Sequence, residues 1–317
     1  MTVWEFVLQK LNSGKRVILL YVLESKGSSP GRQGFHMAVA EDDSMQGSIG
    51  GGIMEHKFVE LTRHALKNND ELNEIINQVH DKEEAKNRSG MICSGEQTIF
   101  LYSILNKDIP VVEALCNTKK ESLTGSLILS PAGLQLDKKI PLENNTYHYN
   151  NGNFTYYEKL GFKNTIHIIG GGHCALALSK LMRGMDFYII VYDDRPGLHT
   201  LVQNKYAHQI ITVPGYTKMA NYLKENKDDY VVIMTFGYRT DDEVIQSLAP
   251  YHFKYAGALG SAFKMQQLFE KYRNLKITGP FIDQLHTPIG LAIHSQTPEE
   301  IAISIAAEII QVKNSPV

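Results

Sequence analysis

Thr165-Ile166-His167-Ile168-Ile169-Gly170-Gly171-Gly172-His173-Cys174-Ala175 is the stretch on which the fold turns. Thr165 to Ile169 is a short, mostly β-branched run that predicts a buried strand. The glycines that follow satisfy G-x-G-x-x-A and open a helix predicted over Gly172 to Met182. Downstream, the runs Phe187–Tyr192, Gln209–Val213, Tyr230–Thr235 and Tyr255–Leu259 read as strands separated by helical pattern. Such alternation predicts a doubly wound parallel sheet, Rossmann-like, over 164–317. The last helix has a defined start. Thr297 is its N-cap, Pro298 its first residue, and Glu300 completes a capping box ahead of the stripe Ile301, Ile305, Ile309 and Val312.

Working towards the N-terminus, 143–163 is rich in Asn, Tyr and Gly and is read as an inter-domain linker. Residues 1–142 then form a separate mixed α/β domain, so the fold class is α/β with two domains, the prior for 317 residues. Thr2 and Glu5 make a capping box for an amphipathic helix through Trp4, Val7, Leu8 and Leu11. Val17–Leu23 and Phe35–Ala40 read as strands, Ile53 to about Lys67 as a helix, Asn68–Arg88 as charged helix or loop, and Gln97–Leu105 and Gly125–Ser130 as further strands.

The bulk numbers exclude several function classes. A formal charge of -2 with no run of Lys and Arg gives no reason to expect nucleic acid. No apolar run is long enough for a membrane helix, and the first residues lack a signal peptide. Cys93, Cys116 and Cys174 are scattered, which is no disulfide framework and fits a reducing cytoplasm. H-x-x-x-H, C-x-x-C and G-x-S-x-G are absent, so hydrolytic zinc and serine chemistry have no support.

Two glycine loops are the candidate binding elements. Gly170 and Gly172 allow a phosphate to approach backbone amides at a helix N-terminus, with His173 beside them. Asp193 follows the next strand, where the ribose-binding acid of such folds sits, with Arg195 two residues on. The plainer alternatives are a tight packing turn at the glycines and an Asp193–Arg195 pair that only holds the turn. The second loop, Gly47-Ser48-Ile49-Gly50-Gly51-Gly52, precedes a helix and is either an anion cradle or a flexible hairpin loop. Upstream, Ser28, Ser29 and Arg32 add hydroxyls and a guanidinium suited to phosphate; a solvated surface charge is the alternative for Arg32. Cys93, in Gly90-Met91-Ile92-Cys93-Ser94-Gly95, is a thiol for a soft metal or for sulfur transfer, or else a buried structural cysteine. Cys174 begins a helix whose dipole would lower its pKa, or it simply packs against the sheet.

Taken in order, these motifs resemble the XdhC/CoxI family of xanthine dehydrogenase accessory factors. The resemblance rests on Gly27-Ser28-Ser29-Pro30, Gly47–Gly52 followed by Glu55, and the cysteine motif at Cys93. It continues with Gly170–Ala175, Asp193-Asp194-Arg195-Pro196, Gly257–Ser261, Pro288–Leu291 and Thr297–Ala302. Two positions depart from the family pattern: its C-G-G reads Cys93-Ser94-Gly95, and the acidic residue after P-I-G-L is Ala292, with His294 two positions later.

The resemblance implies a non-enzymatic chaperone that binds molybdenum cofactor, as molybdopterin or its dinucleotide form, and supports its sulfuration. It also implies delivery to a xanthine dehydrogenase-type molybdenum hydroxylase, with a cysteine desulfurase as sulfur donor and Cys93 as metal contact. The oligomeric state stays open, a homodimer being one option because carriers with exposed apolar clefts often pair. The competing reading from the glycine turn is an NAD(P)-dependent oxidoreductase, which needs an acid–base residue that the sequence does not single out.

Overall fold

The computed structural model describes residues 1–79, 95–117, 125–139 and 143–315. The chain divides into two units, Met1–Gly161 and Phe162–Val317.

In the first unit α1 (Val3–Asn12) starts on the expected Thr2–Glu5 capping box. A sheet follows from β1 (Val17–Gly27), β2 (His36–Ala40) and β3 (Met45–Gly47). After α2 (Gly52–Asn68) it is completed by β4 (Asn73–Val79) and β5 (Gly95–Ser103), in the antiparallel order β3-β2-β1-β5-β4. The run Val17–Leu23 is apolar throughout because both faces of β1 are covered. Ile18, Leu20 and Val22 meet Met54, Phe58 and Val59 of α2. The alternate residues Val17, Leu19, Tyr21 and Leu23 share a core with Phe6 and Val7 of α1. Val112 and Leu115 of α3 (Ile109–Asn117) belong to the same core.

The remaining strands of this unit are β6 (Gly125–Ser130), β7 (Gly133–Asp137), β8 (Asn145–Asn150) and β9 (Asn153–Leu160), ordered β7-β6-β9-β8. Two expectations are corrected here. The stretch 143–163 is not a linker, because β8 and β9 form a hairpin that pairs β9 with β6 and places Phe154 and Tyr156 in the core. Its Asn151-Gly152 turn has φ of 48° and 84°, the left-handed pair that a two-residue hairpin turn of the right twist needs. Within the charged stretch after Asn68, residues 73–79 form edge strand β4, paired to β5; 80–94 lie outside the described residues.

The second unit is the expected parallel sheet. Its elements are β10 (Asn164–Ile169), α4 (His173–Gly184), β11 (Phe187–Asp193), α5 (His199–Gln203), β12 (Gln209–Thr212) and β13 (Tyr230–Ile233). They continue with α6 (Tyr238–Leu248), β14 (Tyr255–Ala258), α7 (Ala262–Leu275), α8 (Pro280–Asp283), β15 (Leu285–His286) and α9 (Pro298–Asn314). The order is β12-β11-β10-β13-β14-β15, with parallel pairing throughout. α4 and α9 cover one face, packing Leu178, Met182, Ile305 and Ile309 on Ile166, Ile168 and Val232. α6 and α7 cover the other, packing Val244, Ile245, Met265 and Leu268 around Ile169, Val231 and Ile233. The chain leaves β10 outwards through β11 and β12, then returns to β13 on the opposite side. That reversal puts a crevice at the carboxyl ends of β10 and β13, where open α/β sheets bind ligands. Among the described residues no helix is long and apolar enough to cross a membrane.

Candidate functional site

In the first unit the loops at 28–32 and 47–52 are pressed together. A Cβ on Gly50 would lie 2.4 Å from the Gly31 amide nitrogen, and one on Gly31 would lie 1.9 Å from the Ile49 carbonyl oxygen. Only glycine permits this approach. Gln97 of β5 clamps both loops, its Nε2 donating to the carbonyls of Gly31 at 3.0 Å and Ile49 at 3.2 Å.

The amides of the 47–52 loop do form a cradle, and it already holds an anion from its own chain. Oε2 of Glu55 accepts from the Ile49 amide at 2.9 Å, the Gly51 amide at 3.0 Å and the Ser48 hydroxyl at 2.6 Å. Gly47 continues the turn at φ 95° and Gly52 begins α2. Ser29 is buried and donates to the Gly31 carbonyl at 3.1 Å, whereas Ser28 is exposed. Arg32 is exposed and donates to the Gly27 carbonyl at 3.2 Å. Gly95 pairs with Gly27 across β1 and β5. Cys93 lies outside the described residues.

In the second unit the glycine turn sits at the switch point. A Cβ on Gly170 would fall 2.2 Å from the Met234 carbonyl oxygen, so β10 and β13 close against each other here. Gly171 is wedged by Leu201. Gly172 differs: a Cβ there meets nothing within 4 Å, and as the N-cap of α4 it supplies no capping side chain. The amide end of α4 therefore has no side-chain cap and borders open space at Gly172, an anion-accepting geometry. Cys174 is half-buried, and burial followed by the nearby Glu299 charge pushes its thiol up. The dipole does not win, and Cys174 acts as the packing residue of the two alternatives. His173 is exposed and lines a groove of about 460 Å³ with Lys180, Tyr206, Pro298 and Glu299.

Asp193 stands at the expected position, 1% exposed, with its carboxylate satisfied internally. Oδ2 accepts from the Gly171 amide at 2.6 Å and from Arg195 Nη2 at 2.8 Å. Oδ1 accepts from the Arg195 amide at 2.8 Å and Nε at 2.9 Å. Burial raises the Asp193 carboxyl, but the hydrogen bonds from Arg195 and Gly171 outweigh it and hold the pKa below its ordinary value. Arg195 also lies over the ring of Phe236, 5.7 Å from its centroid. Phe236 is 89% exposed.

Sequence reasoning quoted Glu55 only within the resemblance and did not single out two further carboxylates that organise loops. Beyond Glu55, Glu308 of α9 accepts from the Gly290 amide at 2.8 Å and from the Tyr255 hydroxyl. Its other oxygen meets His286 Nδ1 at 3.1 Å, so one side chain pins the 288–291 turn beside β14 and β15. Asp241 lines a cavity of about 230 Å³ at the ends of β13 and β14. The one local signal was the turn-forming Thr235-Phe236-Gly237 shortly after an apolar strand. Among the described residues no group of three or more His, Cys, Asp or Glu is placed to hold a metal ion.

The chain is similar to several known proteins. The XdhC Rossmann domain model matches 166–309, and the model of the XdhC and CoxI family matches 11–74. An uncharacterised Escherichia coli K12 protein, YqeB, is 24% identical over 298 residues, 93% of this chain and 43% of that protein. A Bacillus subtilis protein, named as a probable subunit of xanthine dehydrogenase, is 28% identical over 166 residues, 52% of this chain and 48% of that one. The chain thus spans less than half the length of these relatives. A solved Bacillus halodurans structure, described as a xanthine dehydrogenase, shares the fold over 100% of this chain and 97% of its own, with a TM-score of 0.70 at 22% identity. With both units matched in order, the chain belongs to the XdhC and CoxI family.

Proposed function

We propose that this protein is an accessory factor for a xanthine dehydrogenase-type molybdenum hydroxylase, working in the cytoplasm. Its cargo is the molybdenum cofactor, as molybdopterin or its dinucleotide form. It binds that cargo, supports its sulfuration with sulfur from a cysteine desulfurase, and passes it to the client. Family membership supports the accessory role, and the name of the Bacillus subtilis relative supports the kind of client.

One observation carries the ligand reading. At the switch point the first turn of α4 is uncapped and borders open space at Gly172, while Gly170 and Gly171 let the backbone close up behind it. A phosphate or pyrophosphate seats there, and Arg195 stands nearby. The 47–52 loop is a weaker phosphate candidate because Glu55 fills it. Cys93 stays the candidate contact for a soft metal, thiolate being the side chain best matched to one. The NAD(P)-dependent reading loses its ribose acceptor, since both oxygens of Asp193 are taken by Arg195 and Gly171.

The test is to purify the protein from a cofactor-producing host and measure bound molybdenum together with the fluorescence of oxidised pterin. A Cβ at position 172 meets no protein atom within 4 Å, so the Gly172→Val fold should survive while occupancy falls about tenfold or more, the worth of one charge-assisted hydrogen bond. Cys93→Ser lowers the molybdenum. Wild-type protein free of both molybdenum and pterin, or a Gly172→Val variant loaded like wild type, refutes the proposal.

A further inference from the structure

The cavity at the ends of β13 and β14 is lined by Thr235, Phe236, Tyr238, Asp241, Lys264 and Met265 among others. Asp241 is 7% exposed, and its Oδ1 accepts from both the Thr235 amide and the Thr235 hydroxyl. Its Oδ2 has no hydrogen-bond partner among the described residues. A largely buried carboxylate that keeps one oxygen open to a cavity marks a place where a ligand can supply donors.

Aromatic and thioether groups, Phe236, Tyr238 and Met265, suit the faces of a flat ring. Lys264 offers a donor for a ring carbonyl. The volume, about 230 Å³, is below that of a whole-ligand pocket and suits a bicyclic ring with its tail outside. The tail has somewhere to go. Thr235 borders the glycine turn, its Cα lying 2.8 Å from where a Cβ on Gly170 would stand.

We propose that this cavity recognises the 2-amino-4-oxopyrimidine ring shared by pterins and guanine, with Asp241 accepting from its adjacent N–H groups and Phe236 stacking on its face. Two neighbouring donors match the two lone pairs of Oδ2. Adenine places an acceptor nitrogen beside its amino group and is repelled there. Burial pushes the Asp241 carboxyl up to about 6, so it is still ionised and accepting at neutral pH. The proposal rests on the reading of α4 as the phosphate end, and it assigns the ring end of the same ligand.

The experiment titrates the full chain with phosphate-free pterin, guanosine monophosphate and adenosine monophosphate, by pterin fluorescence and by calorimetry. Wild-type protein should bind pterin or guanosine monophosphate at least about tenfold more tightly than adenosine monophosphate, and the tighter of the two identifies the source of the ring. Asp241→Asn keeps the oxygen that serves Thr235 and turns an N–H₂ towards the ring, so it should lose about tenfold or more for both. Phe236→Ala removes only an exposed side chain and should weaken both several-fold. Gly172→Val should leave phosphate-free pterin unchanged and weaken the nucleotide. Equal binding of adenosine monophosphate, no binding of either ring, or an Asp241→Asn variant with wild-type affinity overturns the ring pocket. Pterin binding that survives Asp241→Asn while nucleotide binding falls in Gly172→Val overturns the ring pocket and leaves the α4 reading standing.

Discussion

The Asp241→Asn substitution removes a buried charge while keeping the oxygen to which Thr235 donates, and its effect on stability follows from the structure. Burial holds the Asp241 carboxyl at about 6 against an ordinary 3.8. That gap of about 2 pKa units, at 1.36 kcal/mol each, makes the ionised group cost about 3 kcal/mol at pH 8 relative to the unfolded chain. Because the folded pKa lies above the unfolded one, the group's contribution is intact below about pH 4, declines as pH rises, and is fully lost above about pH 6. Asparagine is neutral throughout and escapes the cost. The Thr235 hydrogen bonds to the charged form are already contained in that gap, so the neutral acid and asparagine are close equivalents.

The variant should therefore be about 3 kcal/mol more stable at pH 8, raising the melting temperature of the second unit by roughly 6–12 °C. At pH 4.5 the cost of the charge has shrunk to about 1 kcal/mol, so the variant's advantage should fall to roughly a third of its value at pH 8. Calorimetric melts of both at the two pH values test this. A difference that does not change with pH, or a variant less stable at pH 8, would falsify the account of Asp241 as a carboxylate held in the cavity at a cost to the fold. Confirmation would give the pattern of a binding residue kept at the expense of stability.

Glu55→Ala empties the cradle of the 47–52 loop and should destabilise the first unit by about 1–2 kcal/mol. Millimolar phosphate should recover part of the loss in the variant and leave wild type unchanged; no such rescue would mean that the loop amides do not form an anion site. Asp193→Asn sets an N–H₂ group against the Gly171 amide or Arg195 and should cost the second unit about 2–3 kcal/mol in denaturant melts at pH 7. Since the folded Asp193 pKa is depressed, the gap to wild type should close as pH falls below about 4; a gap that stays constant would deny the carboxylate its role.

Much of the fold was legible because hydrophobic period and cap chemistry are local. The strand–glycine–helix unit at Thr165–Met182, the Thr2–Glu5 box and the Thr297–Glu300 box each lie within a few neighbouring residues, and each appears in the structure. The β8–β9 hairpin was also legible, through Asn151-Gly152 flanked by alternating residues. Its tyrosines and asparagines resemble linker composition, and the turn signal outranks composition because it dictates two left-handed residues in succession.

The sequence by itself determined that there is a parallel sheet with a glycine turn feeding a helix, and that a second glycine loop precedes another. Which of those loops stands open was decided only by tertiary structure. A carboxylate finds its donors across long separations, and no local pattern says which will be met. Glu55 folds back on the Gly47–Gly52 loop, and Asp193 reaches the Gly171 amide 22 residues away. Glu308 ties down a turn at Gly290, while one oxygen of Asp241 is left open to the cavity it lines. The glycines make backbone amides accessible to any anion; the packing of the two units' own side chains leaves the α4 end open and fills the 47–52 loop.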